Sequence, residues 1–391
     1  MKTAPTAAER NPLGGRFFAD FRRLLGGKLG YTGTVVTHRL LEEDWTSPSC
    51  DRWDELARDC PQATPFQSST WLRLWWKHFG RGRRPHLWIV SEGDDWVGAW
   101  PGYSSSIPWR SLRTMGTGPS DYLMPLVRPG YESVVAQAWQ EHLDQLENVD
   151  LVDLHQIREG HPWVESGGVP MRQATCLVLK LEGTFESYCK GLSKSLRYEV
   201  QRLKKPPYTT QEAQIRTAAT PDEACEFLSV FFRLHQQRWR KRGLPGAFAS
   251  ARVRRFHEEF VSEAVTRDLL RLSVLEKDGT QGGALYAMRA GSGTFFYQSG
   301  FDPAAKALSP GTVLVAAAIR RAFEDGCADF DFLRGDEPYK QRWKPQLSLA
   351  NYRIMHRRAG WRGQAGEHLN RLGFGVETRV RRRLEGRGLL S

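Results

Sequence analysis

The chain has 391 residues, 40% hydrophobic and 11% aromatic, so two domains with sizeable cores are expected. Its net charge of +12 lies mostly at the ends: residues 1–30 hold six Lys and Arg against two acidic residues, and residues 361–391 hold seven Arg against three Glu. That distribution argues against a nucleic-acid binder from charge alone, and the lack of any run of 18 apolar residues, with no apolar stretch near the N-terminus, predicts neither a membrane-spanning helix nor a signal peptide.

In chain order, Phe17, Phe18, Phe21, Leu24 and Leu25 share one face of an expected helix at 16–25, with Arg16, Arg22 and Arg23 off it. The segment suits either an arm packed on the body or a helix lying on an anionic membrane surface. A strand is expected at 34–40, helices at 50–59 and 71–79, and a hairpin at 85–91 and 96–103. A Gly-rich link follows over 114–126, then a helix at 131–146 and a strand at 150–156. The second half has a similar order. A strand at 174–181 leads to a helix at 184–204, a strand at 214–218, and helices at 221–243 and 251–267. A hairpin at 270–277 and 282–290 and a strand at 294–301 follow. The tail, with Leu369, Leu372, Phe374 and Val376 before an Arg-rich end, poses the same choice as the N-terminal segment.

The chemistry concentrates over 294–344. A strand leads through a turn-rich loop, ending at Ser309-Pro310-Gly311, into a helix at 312–324 and a strand at 328–333. Amides at a helix N-terminus lack intrahelical partners and carry partial positive charge, so the loop suits a phosphate. The cysteines at 50, 60, 176, 189, 225 and 327 show no C-x-x-C or zinc spacing, and buried, reduced thiols in a cytosolic protein are expected. No metal is expected. Most of the 14 tryptophans should be core, with a minority lining a groove.

Lys306-Ala307-Leu308-Ser309-Pro310-Gly311 stands where GNAT N-acetyltransferases carry Q/R-x-x-G-x-G/A, with Ser309 in place of the first glycine. Tyr297-Gln298-Ser299-Gly300-Phe301-Asp302 and Phe332-Leu333-Arg334-Gly335-Asp336-Glu337-Pro338-Tyr339-Lys340 with Trp343 resemble the CelD-like acetyltransferases of cellulose biosynthesis. So do Leu234-His235 with Arg238-Trp239, the basic helix around Lys194, Arg197 and Arg202, and Phe66-Gln67-Ser68, Trp71-Leu72 and Asp121-Tyr122. Such proteins are similar to the Fem peptidyltransferases, which carry two GNAT-like domains in tandem.

The resemblance covers about residues 34–358 and implies an α/β fold, a mixed α+β sheet, in two tandem GNAT-like domains at 32–173 and 174–360; the basic extensions at 1–31 and 361–391 lie outside it. It implies an acyl-CoA-dependent N-acyltransferase acting on an amino sugar, a polysaccharide precursor or another amine, with acetyl-CoA or a longer acyl-CoA as co-substrate. The alternatives are a Fem-like enzyme using aminoacyl-tRNA and a non-catalytic component of a polysaccharide-synthesis complex. A cytoplasmic location, peripheral at the inner membrane face, would suit the basic ends.

Gln298, Lys306, Ser309, Pro310, Gly311 and Thr312 are the implied cofactor residues, with backbone N–H groups at 309–313 facing the diphosphate. Tyr339 is the implied acid for the CoA thiolate. Glu337 and His235 are the candidate bases, although Arg334 and Lys340 would lower the pKa of Glu337. Arg238, Trp239, Asp302, Arg334, Lys340, Asp121 and Tyr122 are expected to bind substrate, Arg334 and Lys340 alternatively pairing with nearby carboxylates.

Overall fold

The structure, a computed structural model, describes residues 36–41, 47–165 and 168–386. The basic segment at 1–31, including the helix expected at 16–25, lies outside them.

Among the described residues, thirteen strands form one mixed sheet. In chain order they are β1 Val36–Leu41, β2 Arg84–Glu92, β3 Asp95–Ser105, β4 Ser111–Thr114, β5 Leu126–Val127, β6 Leu151–Arg158, β7 Val169–Lys180, β8 Ala213–Thr217, β9 Leu270–Lys277, β10 Thr280–Ala290, β11 Gly293–Phe301, β12 Asp329–Arg334 and β13 Leu347–Arg357. Their order across the sheet is β1-β2-β3-β4-β6-β13-β7-β12-β11-β10-β9-β8, with β5 added beside β3.

That order contains a duplication. In the first half β1 is followed by two helices, Ser47–Asp59 and Ser69–Phe79, then by the antiparallel run β2-β3-β4. The Glu132–Gln145 helix then crosses to β6, which lies parallel to β4. In the second half β8 is followed by the Pro221–Lys241 and Ala251–Thr266 helices, then by antiparallel β9-β10-β11. The Pro310–Glu324 helix crosses to β12, parallel to β11. The last strand of each repeat is lent to the other: β7 pairs with β12, β13 pairs with β6, and the two lie antiparallel at the centre. The division expected at 173/174 falls inside β7.

Three cores follow from this wiring. One lies under the 132–145 helix and holds Trp88, Trp100, Trp139 and Trp163, all buried. One lies under the 310–324 helix, where Val313, Leu314, Ala316 and Ile319 face β10 to β12. The third belongs to both halves. There Trp71 and Trp75 of the 69–79 helix meet Phe256 and Phe260 of the 251–266 helix, with Trp71 edge-on to both phenylalanines at 4.8 Å. Each fully buried aromatic or large aliphatic side chain stabilises the fold by about 1.5–3 kcal/mol.

Several elements add to or differ from the sequence reading. The helix expected over 184–204 is broken into Phe185–Gly191 and Lys194–Gln201, because Ser193 is extended and caps the second piece through the Leu196 N–H. β4 and β13 were not expected at all. Three cysteines, at 60, 176 and 327, are buried, but Cys225 is exposed; all six are free thiols. The tail is a helix, Trp361–Gly386, whose N-terminal part packs beside β13 and β6.

Candidate active site

The parallel pairing of β11 and β12 ends at Phe295 and Asp331, and beyond it the strands separate. Each carries a bulge that drives the separation. On β11, Ala287 pairs with Phe296 and Tyr286 with Gln298, so Tyr297 is the extra residue. On β12, Asp331 pairs with Val178 but Arg334 with Cys176, and Leu333 adopts a left-handed φ of 55°. The Leu333 N–H donates to Asp331 Oδ1 at 2.7 Å, which offsets part of the strain. Between the splayed ends opens a cleft of about 680 Å³.

The cleft gathers residues far apart in sequence. His235, Arg238 and Trp239 reach it from the 221–241 helix, and Gln298 and Asp302 from β11 and its exit. Lys306, Ser309, Pro310, Gly311 and Thr312 form the corner, and Arg334, Glu337, Tyr339 and Lys340 come from the segment after β12. Two expected substrate residues, Asp121 and Tyr122, stand behind it. The Asp121 carboxylate pairs with the Arg334 guanidinium, and Tyr122 Oη donates to Asp331 Oδ2 at 2.8 Å. Asp331 is buried, and desolvation raises its pKa to about 6 against the pull of Arg158 and of the Tyr122 hydrogen bond.

The corner differs in detail from the expectation. The Ser309 N–H donates to Lys306 O at 3.0 Å, and the Thr312 and Val313 amides donate to Ser309 O at 3.0 and 3.1 Å. Pro310 has no N–H. Among the described hydrogen bonds, Gly311 is therefore the residue of 309–313 whose amide stays available. The loop is held from outside: Arg202 donates to Ser309 Oγ at 2.8 Å and to the Ala307 carbonyl, and Tyr208 Oη donates to Leu308 O at 2.8 Å. Ser309, at φ 50° and ψ 49°, takes a strained cap conformation that these bonds fix. Lys306 is exposed at the rim. A side-chain carbon added at Gly311 would meet nothing nearer than Phe301 at 3.7 Å, so the corner opens to the cleft. These groups fit a phosphorylated donor: one amide, a helix N-terminus and an exposed cation.

Neither candidate base is disposed to act as one. His235 is 1% exposed, and its Nε2 accepts from Trp239 Nε1 at 2.8 Å. Desolvation, with Arg238 nearby, lowers its pKa to about 4, so the ring is neutral and its paired nitrogen is spent on Trp239. Glu337 lies 2.9 Å from Lys340 Nζ, and its carboxylate occupies the space that a side-chain carbon at Gly335 would fill. Lys340 is corrected from substrate ligand to clamp: it is 3% exposed and donates to Arg334 O and Gly335 O at 2.7 and 3.2 Å. Asp302 likewise accepts the Ala304 N–H at 2.9 Å as a turn cap.

Tyr339 remains 38% exposed at the cleft. Desolvation and the Glu337 carboxylate push its phenol above the ordinary value, against Arg238, so it is protonated at neutral pH. Arg238 lies over the Phe301 ring at 5.4 Å. Sequence reasoning missed Tyr208 and the Glu199–Arg342 ion pair, 2.8 Å, in the cleft wall. It noted Arg202 only as one cation of a basic helix, since no local spacing shows a contact made more than 100 residues away.

The equivalent corner of the first half carries a carboxylate of its own. Glu132, at the start of its crossover helix, already accepts the Gly130 N–H at 2.9 Å, and the stacked Trp139–Trp163 pair, 3.9 Å apart, helps fill the core beneath.

The duplicated wiring and the splayed strands define a tandem GNAT-type mixed α/β fold. Residues 192–341 match the family model described as Acetyltransferase (GNAT) domain. Among solved structures, FemX superposes with a TM-score of 0.62 at 10% identity, over 82% of this chain and 98% of that one. L-PGS from Bacillus licheniformis superposes at 0.52 and 12% identity, over 85% and 98%. The C-terminal domain (DUF2156) of a putative lysylphosphatidylglycerol synthetase from Agrobacterium fabrum superposes at 0.50 and 10% identity, over 81% and 94%. No curated protein matches the sequence. Among the described residues, no group of His, Cys, Asp and Glu is arranged to hold a metal.

Proposed function

We propose that the protein is an acyl-CoA-dependent N-acyltransferase of the CelD-like type whose acceptor is the amine of an amino sugar, a polysaccharide precursor or a related amine. The observation that carries this reading is the cleft between β11 and β12, with the Gly311 corner at one wall and a protonated Tyr339 at another. Gly311, Lys306 and the helix N-terminus would hold the diphosphate, and the exposed Gln298 edge of β11 would face the donor arm. Trp239 and Phe301, both partly exposed, give the cleft aromatic faces suited to a sugar ring.

In the reaction the neutral amine attacks the thioester carbonyl. The C–N bond forms, the C–S bond breaks, and the thiolate takes the Tyr339 proton. With His235 neutral and committed to Trp239, and Glu337 paired with Lys340, the proton of the amine passes to water, and water returns a proton to the Tyr339 phenolate after the thiol leaves. Positioning of the reactants in one cleft supplies most of the acceleration.

The second reading, a Fem-like aminoacyltransferase, draws on Lys190, Lys194, Arg197, Arg202 and Lys204, which precede the corner on the 185–204 segment. Acetyl-CoA at 100 times its Kd should stabilise the fold by about 2.7 kcal/mol, read as a rise in melting temperature. Stabilisation by aminoacyl-tRNA and not by any acyl-CoA would transfer the assignment to the second reading.

A further inference from the structure

The Trp361–Gly386 helix has two unlike faces. One packs on the body. Gly366 lies against the Trp109 ring, where an added side-chain carbon would come within 3.3 Å. Asn370 accepts from Arg353 at 2.6 Å and donates to Gly366 O at 2.8 Å. The other face carries Trp361, Leu369, Leu372 and Val376, which are 74, 53, 51 and 56% exposed. At about 100° per residue these four fall within roughly 80° of arc, a single apolar stripe turned to solvent. Arg362 lies over the Trp361 ring at 5.6 Å, and Arg371, Arg379 and Arg383 are exposed along the same helix. An open groove of about 650 Å³ runs beside it, and there Arg357 and Arg371 share the carboxylate of Glu367 at 3.4 and 2.5 Å, leaving net positive charge.

We propose that this helix docks the protein on an anionic lipid bilayer, with the Trp361–Leu369–Leu372–Val376 stripe in the interface and the arginines on the headgroups. The charge selects the occupant. A second copy of the chain would bring arginines against arginines, whereas an anionic leaflet neutralises them and attracts each Arg near its surface. Four partly exposed side chains also fall short of the roughly 20–30 residues a side of a stable protein interface, but they suit shallow burial among headgroups, with arginine stems extending to the phosphates.

The test is sedimentation of the full chain with vesicles. Equal parts of phosphatidylglycerol and phosphatidylcholine should carry down at least tenfold more protein than phosphatidylcholine alone, and the difference should shrink as salt is raised. L369N/L372N should bind at least tenfold more weakly with an unchanged melting temperature, both side chains being more than half exposed. R362Q/R379Q should lose the preference for the anionic vesicles and keep the fold. Failure of the wild-type chain to prefer anionic vesicles, or full binding by L369N/L372N, would overturn the proposal. So would a dimer in gel filtration that L369N/L372N dissolves, since a second copy would then cover the stripe.

Discussion

Tyr339 is the residue on which the proposed chemistry turns, because it is the exposed phenol of the cleft and its proton is held at neutral pH. Tyr339→Phe should lower kcat by about 10²–10⁴, the range for a lost general acid, and leave the Kd for acyl-CoA within about twofold. Unchanged turnover would remove it from the mechanism. Two buried histidines predict how stability follows pH. His235 and His257 are 1 and 0% exposed, and burial lowers their pKa values to about 4 and about 3. Unfolded, each would titrate near 6.5. Below that pH the unfolded chain binds protons that the folded chain refuses, so stability falls by up to about 1.4 kcal/mol per unit for each ring as pH drops toward the folded value. Asp331, raised to about 6, opposes this between about pH 6 and 4 because its folded form holds the proton. Melting temperatures from pH 7 to 5 should therefore decline, and less steeply in His257→Phe, whose ring would sit among Phe248, Phe256 and Tyr297.

At the scale of elements, the cleft depends on where two strands stop pairing. The 310–324 helix was legible because Pro310 fixes its first turn and its apolar positions repeat at helical spacing. The bulges at Tyr297 and Leu333 were not, since a bulge is a mismatch of register between two strands and neither strand alone records it. The same irregularity recurs in the first half, where the β6–β13 register shifts and Gln156 has φ 56°. Gly311→Asp tests the corner. The added side chain meets no backbone, so the fold should persist with an unchanged melting temperature. Acetyl-CoA should bind at least tenfold more weakly, a loss of about 1.4 kcal/mol or more, since a carboxylate would face the diphosphate. Equal affinity in a titration would move the diphosphate elsewhere.

The whole molecule behaves as one unit because its halves exchange β7 and β13 and share a core. Calorimetry should show a single transition, and a fragment of residues 174–360 should not fold as a monomer, since β13 would lose its β6 partner. Two separable transitions would contradict this. The first half also braces the cleft from behind, Asp121 through Arg334 and Tyr122 through Asp331. Tyr122→Phe would leave Asp331 Oδ2 buried without its donor, at a cost of about 1–3 kcal/mol, and should reduce kcat by loosening the β12 bulge. A stable but fully active Tyr122→Phe would show that the brace has no catalytic consequence.

By itself the sequence determined most elements, the repeated order and the 294–344 unit, because apolar periodicity, caps and turn residues act over a few positions. Gln298, the 306–312 corner and Tyr339, far apart in sequence or in separate motifs, line one cleft of the structure. Only the tertiary structure decided the exchange of β7 and β13. β13 escaped notice because its buried Asn351 and Arg353 interrupt the apolar pattern. Their partners are Asp121 O at 2.7 Å and Asp153 at 2.7 and 2.8 Å, some 200 residues away. Only the tertiary structure, too, buried His235 and Lys340: their partners Trp239 and Glu337 stand four and three residues away along the chain, but burial, which decides whether a group is free to act, depends on what folds against it.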